Sequence, residues 1–171
     1  MRRLRYHVAA SLDGYIAGPD GEFDWIPRDP DIDFGALFNE FDTFLMGRKT
    51  YEIVVASGMS FPWAETYVFS RTLKQRDHPK VKIVADQPEE LIEGLKSKRG
   101  KDIWLFGGGD LFRSLAEVKL VDSVEIAIVP VLLGGGLPLL PPPANRIPLA
   151  FEKQALFEKS GIVWLTYRVK S

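Results

Sequence analysis

The chain has 171 residues, of which 46% are hydrophobic, and its 22 Lys and Arg against 23 Asp and Glu give a formal net charge of −1. This balance excludes the strong basic field with which proteins recruit nucleic acid or an anionic membrane. The absence of Cys excludes thiolate zinc sites, disulfides and thiol nucleophiles, and no metal site is predicted. We expect one domain spanning residues 1–171 in the cytoplasm, since no apolar run approaches the roughly 20 residues that cross a bilayer.

Short apolar runs rich in β-branched and aromatic residues predict a series of strands. In chain order they are LRYHVAAS, TFLMG, TYVFS, VKIVA, DIWLFG and SVEIAIVPVL. Candidate helices lie between them at about residues 31–40, 48–56, 87–98 and 109–118. Strands that alternate with helices, several of them nearly all apolar, favour an α/β fold of three layers in which helices flank a central, mainly parallel sheet.

The last quarter of the chain differs because no convincing helix follows about residue 118. Its apolar runs ALFEK and GIVWLTYRV meet at Ser160 and Gly161, a spacing that predicts an antiparallel hairpin and therefore a mixed sheet. The segment LLGGGLPLLPPPANRIP, residues 132–148, is too rich in Gly and Pro for a helix or a central strand. A surface connection and a functional loop explain this segment equally well.

The stretch IWLFGGGDLFRSL, residues 103–115, places three glycines between a predicted strand and a predicted helix. Glycine permits positive φ and lets a ligand approach the backbone, and the start of a helix offers unpaired N–H groups with a partial positive charge. A phosphate fits such a junction. A tight turn, or close packing of helix on sheet, would explain the glycines without any ligand.

Two further junctions carry cations at the ends of predicted strands. DTFLMGRKTYEIV reaches Gly47 and continues into Arg48 and Lys49 at a helix start, where positive charge is unfavourable unless an anion is bound. TYVFSRTL ends its strand at Ser70 and Arg71. If these strands are parallel neighbours, the three junctions meet in one crevice, where open α/β sheets bind ligands. The alternative is a set of solvated surface cations.

This pattern differs from the usual dinucleotide fingerprint, which opens on the first strand and carries an acid roughly 20 residues later for the ribose 2′-hydroxyl. Here the glycines come late in the chain, and the positions about 20 residues further on, Ala127 to Val129, are apolar. Cations in place of the acid favour a 2′-phosphate. NADPH, rather than NADH, is therefore the predicted cofactor.

Together these segments resemble the dihydrofolate reductase superfamily, and more closely the C-terminal reductase domain of bifunctional riboflavin-biosynthesis deaminase-reductases. VAASLDGYIAG resembles the first strand and loop of that family, DTFLMGRKTYE its second strand and helix, IWLFGGGDLF its glycine turn, and PVLLGGGLPLL a loop of the riboflavin-type branch. The resemblance covers nearly the whole chain. It implies a homodimeric, NADPH-dependent reductase that transfers a hydride to a heterocycle, as 5-amino-6-(5-phosphoribosylamino)uracil reductase does in riboflavin biosynthesis.

The resemblance also implies roles for individual residues. The cofactor phosphates would be bound by Gly47, Arg48, Lys49 and Thr50, the adenosine 2′-phosphate by Ser70 and Arg71, and the pyrophosphate by Gly107, Gly108, Gly109, Asp110 and Leu111. The nicotinamide pocket would be lined by Ala10, Ile16 and Ala17. The nicotinamide contacts rest on the resemblance alone, whereas the phosphate site also follows from the three junctions.

Carboxylates are the candidate catalytic groups on the substrate side. Trp25 matches a tryptophan that precedes the substrate-binding carboxylate of dihydrofolate reductases, and the matching acid here is Asp31 or Asp33. Helix capping explains either aspartate equally well. The riboflavin-type branch implies that Asp13 lies near substrate and cofactor, although an aspartate before Gly14 is also a turn former.

Other residues extend or limit this interpretation. Trp63 and Phe61 offer stacking surface for a flat heterocycle, whereas core packing explains Tyr6 better and a satisfied polar role explains His7. The sequence holds no zinc deaminase signature, and residues 20–33 are acidic where a phosphorylated substrate would need cations. The alternatives are a dihydrofolate (pteridine) reductase, a non-catalytic NADP-binding module, and a structural domain whose glycines only make turns.

Overall fold

A computed structural model describes residues 1–170, which form ten strands and four α-helices. The strands are β1 (Leu4–Ser11), β2 (Tyr15–Ala17), β3 (Phe41–Gly47), β4 (Glu65–Phe69), β5 (Lys82–Val84), β6 (Asp102–Gly107), β7 (Ser123–Val129), β8 (Leu137–Pro138), β9 (Leu149–Phe157) and β10 (Ile162–Val169). The helices are α1 (Phe34–Phe38), α2 (Arg48–Ala56), α3 (Pro88–Ser97) and α4 (Gly109–Glu117).

Eight of the strands form one sheet in the order β5-β4-β3-β6-β1-β7-β10-β9. The first six strands in this order, β5 through β7, run parallel to one another, whereas β10 runs antiparallel to both β7 and β9. β2 and β8 form a separate antiparallel pair. This arrangement confirms the predicted α/β fold with a mixed, mainly parallel sheet and a C-terminal antiparallel hairpin.

The helices cover the sheet from both sides and make the predicted three layers. Phe112 of α4 and Ile92 of α3 belong to the hydrophobic core on one face of the sheet. Leu37 of α1 and Val54 of α2 pack against Trp104 in the core on the other face. Each such side chain, when fully buried, contributes roughly 1.5–3 kcal/mol of transfer free energy.

The first helix is shorter than the sequence predicts, because α1 covers only part of residues 31–40. Asp33 accepts a hydrogen bond from the Ala36 amide at 2.8 Å and caps the helix, which therefore begins at Phe34. Upstream of it, the Asp29 carboxylate accepts a hydrogen bond from the Asp31 amide at 2.8 Å. The chain thus turns before the cap, and the predicted start at residue 31 was wrong.

The C-terminal hairpin closes at Gly161, whose φ of +74° favours glycine. β9 begins at Leu149, earlier than the run ALFEK predicts, because Glu152, Lys153 and Gln154 interrupt the apolar pattern of this mostly exposed edge strand. No helix within residues 1–170 has the length and apolar character that a bilayer crossing requires. The cytoplasmic location stays a prediction.

Candidate functional site

The three strand-to-helix junctions lie side by side at one edge of the sheet. β3 is the shared neighbour of β4 and β6, and all three run parallel. Gly47 pairs with Phe69 at the end of β4, and Met46 pairs with Gly107 at the end of β6. From these ends α2 packs on one face of the sheet and α4 on the other. A crevice between neighbouring strands whose helices leave to opposite faces is the usual ligand site of open α/β sheets.

The glycine turn and the start of α2 approach each other closely. Gly107 has a φ of +141°, in the region that favours glycine. A Cβ on Gly108 would lie 3.3 Å from Thr50 Oγ1, and one on Gly47 would lie 3.7 Å from the Gly108 amide nitrogen. Side chains at these positions would fill the space between the two helix starts.

Both helix starts leave backbone amides available for an anion. Gly47 is the N-cap of α2 and Gly108 is the N-cap of α4, and no side chain within residues 1–170 caps either helix. First-turn amides without a capping side chain, together with the partial positive charge of two helices, are the groups that bind phosphate. Leu111 lies half-buried in the first turn of α4, and the exposed Asp110 forms an ion pair with Arg113 at 3.4 Å.

The predicted cationic side chains occupy two positions around this crevice. Arg48 is partly exposed and pairs with Glu52 at 2.9 Å one turn along α2, so it would exchange this partner to bind a phosphate. Lys49 is exposed. Ser70 and Arg71 line a cavity of about 290 Å³ at the ends of β4 and β5. The Ser70 hydroxyl oxygen accepts hydrogen bonds from the amides of residues 72 and 73, at 3.2 and 3.0 Å, and holds this turn.

The sequence analysis missed one acidic group in the same cavity. Asp86 follows β5 and lines the cavity beside Arg71. An acid at the adenosine end of a dinucleotide site favours a free ribose 2′-hydroxyl, whereas an arginine favours a 2′-phosphate. The cavity therefore contains both kinds of determinant. The dinucleotide fingerprint does not reveal Asp86, because that fingerprint places the acid about 20 residues after the glycine turn and Asp86 precedes the turn.

The three residues predicted for the nicotinamide pocket lie on β1 and β2. Ala10 and Ala17 are buried and Ile16 is half-buried. β2 pairs with β8, which the sequence analysis did not predict, and the Leu139 amide donates a hydrogen bond to the Gly14 carbonyl at 2.9 Å. The Gly/Pro-rich segment is thus held beside the predicted pocket.

The same segment also contacts the glycine turn. A Cβ on Gly109 would lie 2.6 Å from the Pro138 carbonyl oxygen and 2.8 Å from Pro141 Cδ. Arg113 of α4 donates a hydrogen bond to the Pro141 carbonyl at 3.3 Å. Residues 137–141 therefore connect β2 with α4 across the candidate site.

The three predicted catalytic aspartates occupy different surroundings. Asp13 accepts hydrogen bonds from the Ser11 hydroxyl at 2.6 Å and from the Leu133 and Gly134 amides at 3.1 and 2.8 Å, and these bonds lower its pKa. Asp13 thus anchors the glycine-rich segment. Asp31 is exposed and pairs with Lys159 at 2.8 Å. Asp33 caps α1 and lines a second cavity, of about 190 Å³.

A buried charge cluster lies under α1, beside that second cavity. Arg5 and Glu125 form two hydrogen bonds at 2.6 and 2.8 Å, and Arg5 also donates to Glu40 at 2.5 Å. Burial opposes ionisation of Glu125, but the contacts with His7 and Arg5 outweigh it and hold the Glu125 pKa well below its usual range.

His7 also belongs to this cluster, and the expectation that its polar atoms are satisfied was wrong. Its ring packs between Trp104 and Trp164 at centroid distances of 5.0 and 4.4 Å. Its Nδ1 lies 3.4 Å from Glu125 Oε2, and within the described residues it is buried without a well-formed hydrogen bond. Burial lowers the pKa of His7, because the contact with Glu125 offsets the loss of solvation only in part.

The sheet order and the glycine turn give the chain a dihydrofolate reductase-like fold. The structure matches dihydrofolate reductase from Enterococcus faecalis, solved with NADP(H), with a TM-score of 0.71 over 99% of this chain and 97% of that chain. The two sequences are 16% identical, so the comparison shows the fold alone.

Within this class, the chain belongs to the RibD C-terminal domain family, whose profile matches residues 2–157. The uncharacterized Bacillus subtilis (strain 168) protein YyaP is 36% identical over 182 residues, covering 97% of this chain and 94% of YyaP. A candidate riboflavin biosynthesis protein from Shewanella sp. PV-4 is 28% identical, with a TM-score of 0.84 and complete coverage of both chains. These comparisons confirm the resemblance to the reductase domain of the riboflavin pathway.

A bifunctional enzyme shares the fold as well. The Thermotoga maritima diaminohydroxyphosphoribosylaminopyrimidine deaminase/5-amino-6-(5-phosphoribosylamino)uracil reductase has a TM-score of 0.73 over 99% of this chain and 57% of its own length, at 17% identity. The chain therefore corresponds in fold to one part of that longer enzyme.

Proposed function

We propose that this protein is an NADPH-dependent reductase that passes a hydride to a small, flat heterocycle. The observation that carries the proposal is the convergence of three parallel strand ends on two uncapped helix starts, with Arg71 in the adjoining cavity. Amides at the helix starts would bind the pyrophosphate, and Arg71 would bind the 2′-phosphate. The solved complex of the Enterococcus faecalis relative with NADP(H) supports this use of the fold.

The residues present fit the cofactor because a side chain at Gly108 would lie against Thr50, and one at Gly47 would lie against the Gly108 amide, so that glycine keeps the space between the two helix starts open. When bound, NADPH supplies the hydride, two electrons and one proton nucleus, to the acceptor carbon, while a separate proton goes to an adjacent heteroatom of the acceptor. The protein has to align the two rings and exclude water. Ala10, Ile16 and Ala17 would form the wall against which the nicotinamide is held.

For the substrate side we propose Asp33 rather than Asp31 as the carboxylate that meets the acceptor. Asp33 lines the cavity beneath α1, whereas Asp31 is exposed and already paired with Lys159. Asp13 would act indirectly, since it holds the segment that adjoins the predicted nicotinamide wall.

We also propose that the protein is a homodimer that uses the uncovered end of the sheet. Residues directly opposite each other in antiparallel strands share a face. Val163 is therefore on one face with Ile128 and Leu156, and Tyr167 is on one face with Phe151, whose ring centroid lies 5.9 Å away. Leu156 and Phe151 are 62% and 58% exposed. A second copy covering these side chains would bury apolar surface that otherwise contacts water.

The enzymatic part of the proposal is tested by NADPH oxidation with a panel of pyrimidine, pteridine and flavin acceptors. We expect one acceptor class to be reduced, and Asp33→Asn to raise KM or lower kcat for it, because asparagine retains the helix cap and removes only the charge. Asp31→Asn is the matched control and should leave both constants unchanged. Firm NADPH binding without oxidation by any acceptor would contradict turnover and favour a non-catalytic NADP-binding module.

A further inference from the structure

A group of partly exposed aromatic side chains lies between α1 and the segment that follows α2. We call this group the aromatic surface; its members are Phe34, Phe38, Phe61, Trp63 and Phe106. Phe38 is the central member, with ring centroids of Phe61 and Trp63 at 6.1 and 5.8 Å. Phe34 and Trp63 are 47% and 48% exposed. Contiguous apolar surface that is left exposed to water marks an interaction or ligand-binding site.

The aromatic surface is continuous with the proposed cofactor crevice. Phe106 is half-buried and immediately precedes Gly107 of the glycine turn. Its ring lies 5.4 Å from Phe61 and 5.4 Å from Trp104. An acceptor that reaches the nicotinamide from this side of the sheet would therefore lie against aromatic rings along its length.

The segments that form the aromatic surface contain no cation. Residues 31–40 and 57–66 hold four acids and no Lys or Arg. Among the neighbouring cations, Arg5 is bound to Glu125 and Glu40, and Lys101 donates a hydrogen bond to the Asn39 side chain at 2.6 Å. Lys153 lines the cavity beneath α1 and belongs to β9, outside the segments of the aromatic surface. A phosphate here would meet carboxylates instead of guanidinium or ammonium groups, which is unfavourable.

We propose that the aromatic surface binds the acceptor, and that the acceptor is a flat heterocycle whose substituent carries no phosphate. This inference rests on the proposed reductase function and narrows its substrate class. It also separates this chain from the Thermotoga maritima relative, whose name specifies a phosphoribosylated uracil. Stacking on Trp63 and Phe34 would supply the binding energy that phosphate contacts supply in enzymes with phosphorylated substrates.

Riboflavin and its 5′-phosphate provide a matched pair of probes, because they share one flat ring system and differ by a single phosphate. Each is titrated into the full-length protein in the presence of saturating NADP⁺, and binding is followed by quenching of flavin fluorescence. We expect riboflavin to bind at least about tenfold more tightly than the phosphate. Trp63→Ala and, separately, Phe34→Ala should weaken riboflavin roughly fivefold to hundredfold, the range for loss of one stacking ring.

Val118→Ala is the control, since Val118 is a comparably exposed apolar residue, at 44%, and lies at the end of α4 outside the aromatic surface. It should leave riboflavin binding unchanged. Equal or tighter binding of the phosphate, or unchanged riboflavin binding in both aromatic variants, would overturn the inference. So would conversion of a dimer to a monomer by Trp63→Ala without any flavin binding, because the surface would then serve assembly. Thermal stabilisation by NADP⁺ alone is measured in parallel, so that failure of the cofactor site is recognised separately.

Discussion

Thr50, in the first turn of α2, lies against Gly108, the N-cap of α4. A Cβ added to Gly108 would lie 3.3 Å from Thr50 Oγ1. This proximity exists because β3 and β6 are parallel neighbours, so that the helices following them begin at the same edge of the sheet. We therefore expect the two sets of helix-start amides to act on one anion.

Gly109→Ala should destabilise the protein by about 1–3 kcal/mol, because the new methyl group would meet the Pro138 carbonyl oxygen and the Pro141 ring at 2.6 and 2.8 Å. Gly94 in α3 is the matched control, since a Cβ there meets nothing within 4 Å. Gly94→Ala should stabilise by about 0.5–1 kcal/mol. Urea unfolding measures both, and equal effects of the two substitutions would contradict the contact between residues 137–141 and α4.

The strand ends, the core position of Tyr6 and the C-terminal hairpin could be predicted because their sequence signals are local. The glycines at 107–109 and the cations after Gly47 mark the ends of strands in the sequence itself, and the core position predicted for Tyr6 is confirmed by its complete burial. The β9–β10 hairpin is likewise coded by the turn at Gly161. Local patterns of this kind require no knowledge of which strands become neighbours.

The interactions that the sequence did not reveal depend on register between distant segments. His7 faces Glu125 only because these two residues are paired between β1 and β7. Asp86 joins Arg71 only because β5 is the neighbour of β4. The β2–β8 pair is too short to leave a periodic pattern, and Pro138 within it argues against a strand. Single-sequence reasoning lacks this pairing information.

His7 should make the stability of the protein depend on mildly acidic pH. Its folded pKa lies below 6.5, so below about pH 6.5 the unfolded chain takes up a proton that the folded protein excludes. The contribution of neutral His7 to the free energy of unfolding is therefore fully present above that pH. It falls as the pH is lowered toward the folded pKa, by at most about 1.4 kcal/mol per pH unit. His7→Phe should flatten the slope of unfolding free energy between about pH 6.5 and pH 5.

Thr166→Val supplies the control for that measurement, because Thr166 is buried opposite Glu125 in the β7–β10 pair but carries no titratable group. This variant should retain the wild-type slope. A slope that is unchanged in His7→Phe would show that His7 is not held neutral in the folded protein.

Removal of the Asp13 carboxylate should release the glycine-rich segment that it holds. In Asp13→Ala the amides of Leu133 and Gly134 lose their acceptor, and limited proteolysis within residues 132–136 should become faster. Asp20→Ala, a change of another exposed aspartate, is the control and should be cleaved at the wild-type rate. Equal cleavage of wild type and Asp13→Ala would mean that other contacts hold this segment.

The proposed dimer can be tested by placing charge on the uncovered face of the sheet. Leu156→Lys should convert the dimer to monomer, because an ammonium group would be buried without a partner. Val118→Lys changes another exposed apolar residue, at the end of α4, and should leave the assembly intact. Sedimentation equilibrium distinguishes the two states, and a wild-type protein that is monomeric at all concentrations would remove this part of the proposal.

The measurement that tests the central claim most directly is calorimetric titration of NADPH and NADH into the wild type and two variants of the adenosine-side cavity. We expect the wild type to bind NADPH more tightly, Arg71→Ala to weaken NADPH by roughly 10- to 100-fold with little effect on NADH, and Asp86→Asn to strengthen NADPH by removing a like charge. Equal affinity of the wild type for the two cofactors, unaltered by either substitution, would contradict a site built at these strand ends for a 2′-phosphorylated dinucleotide.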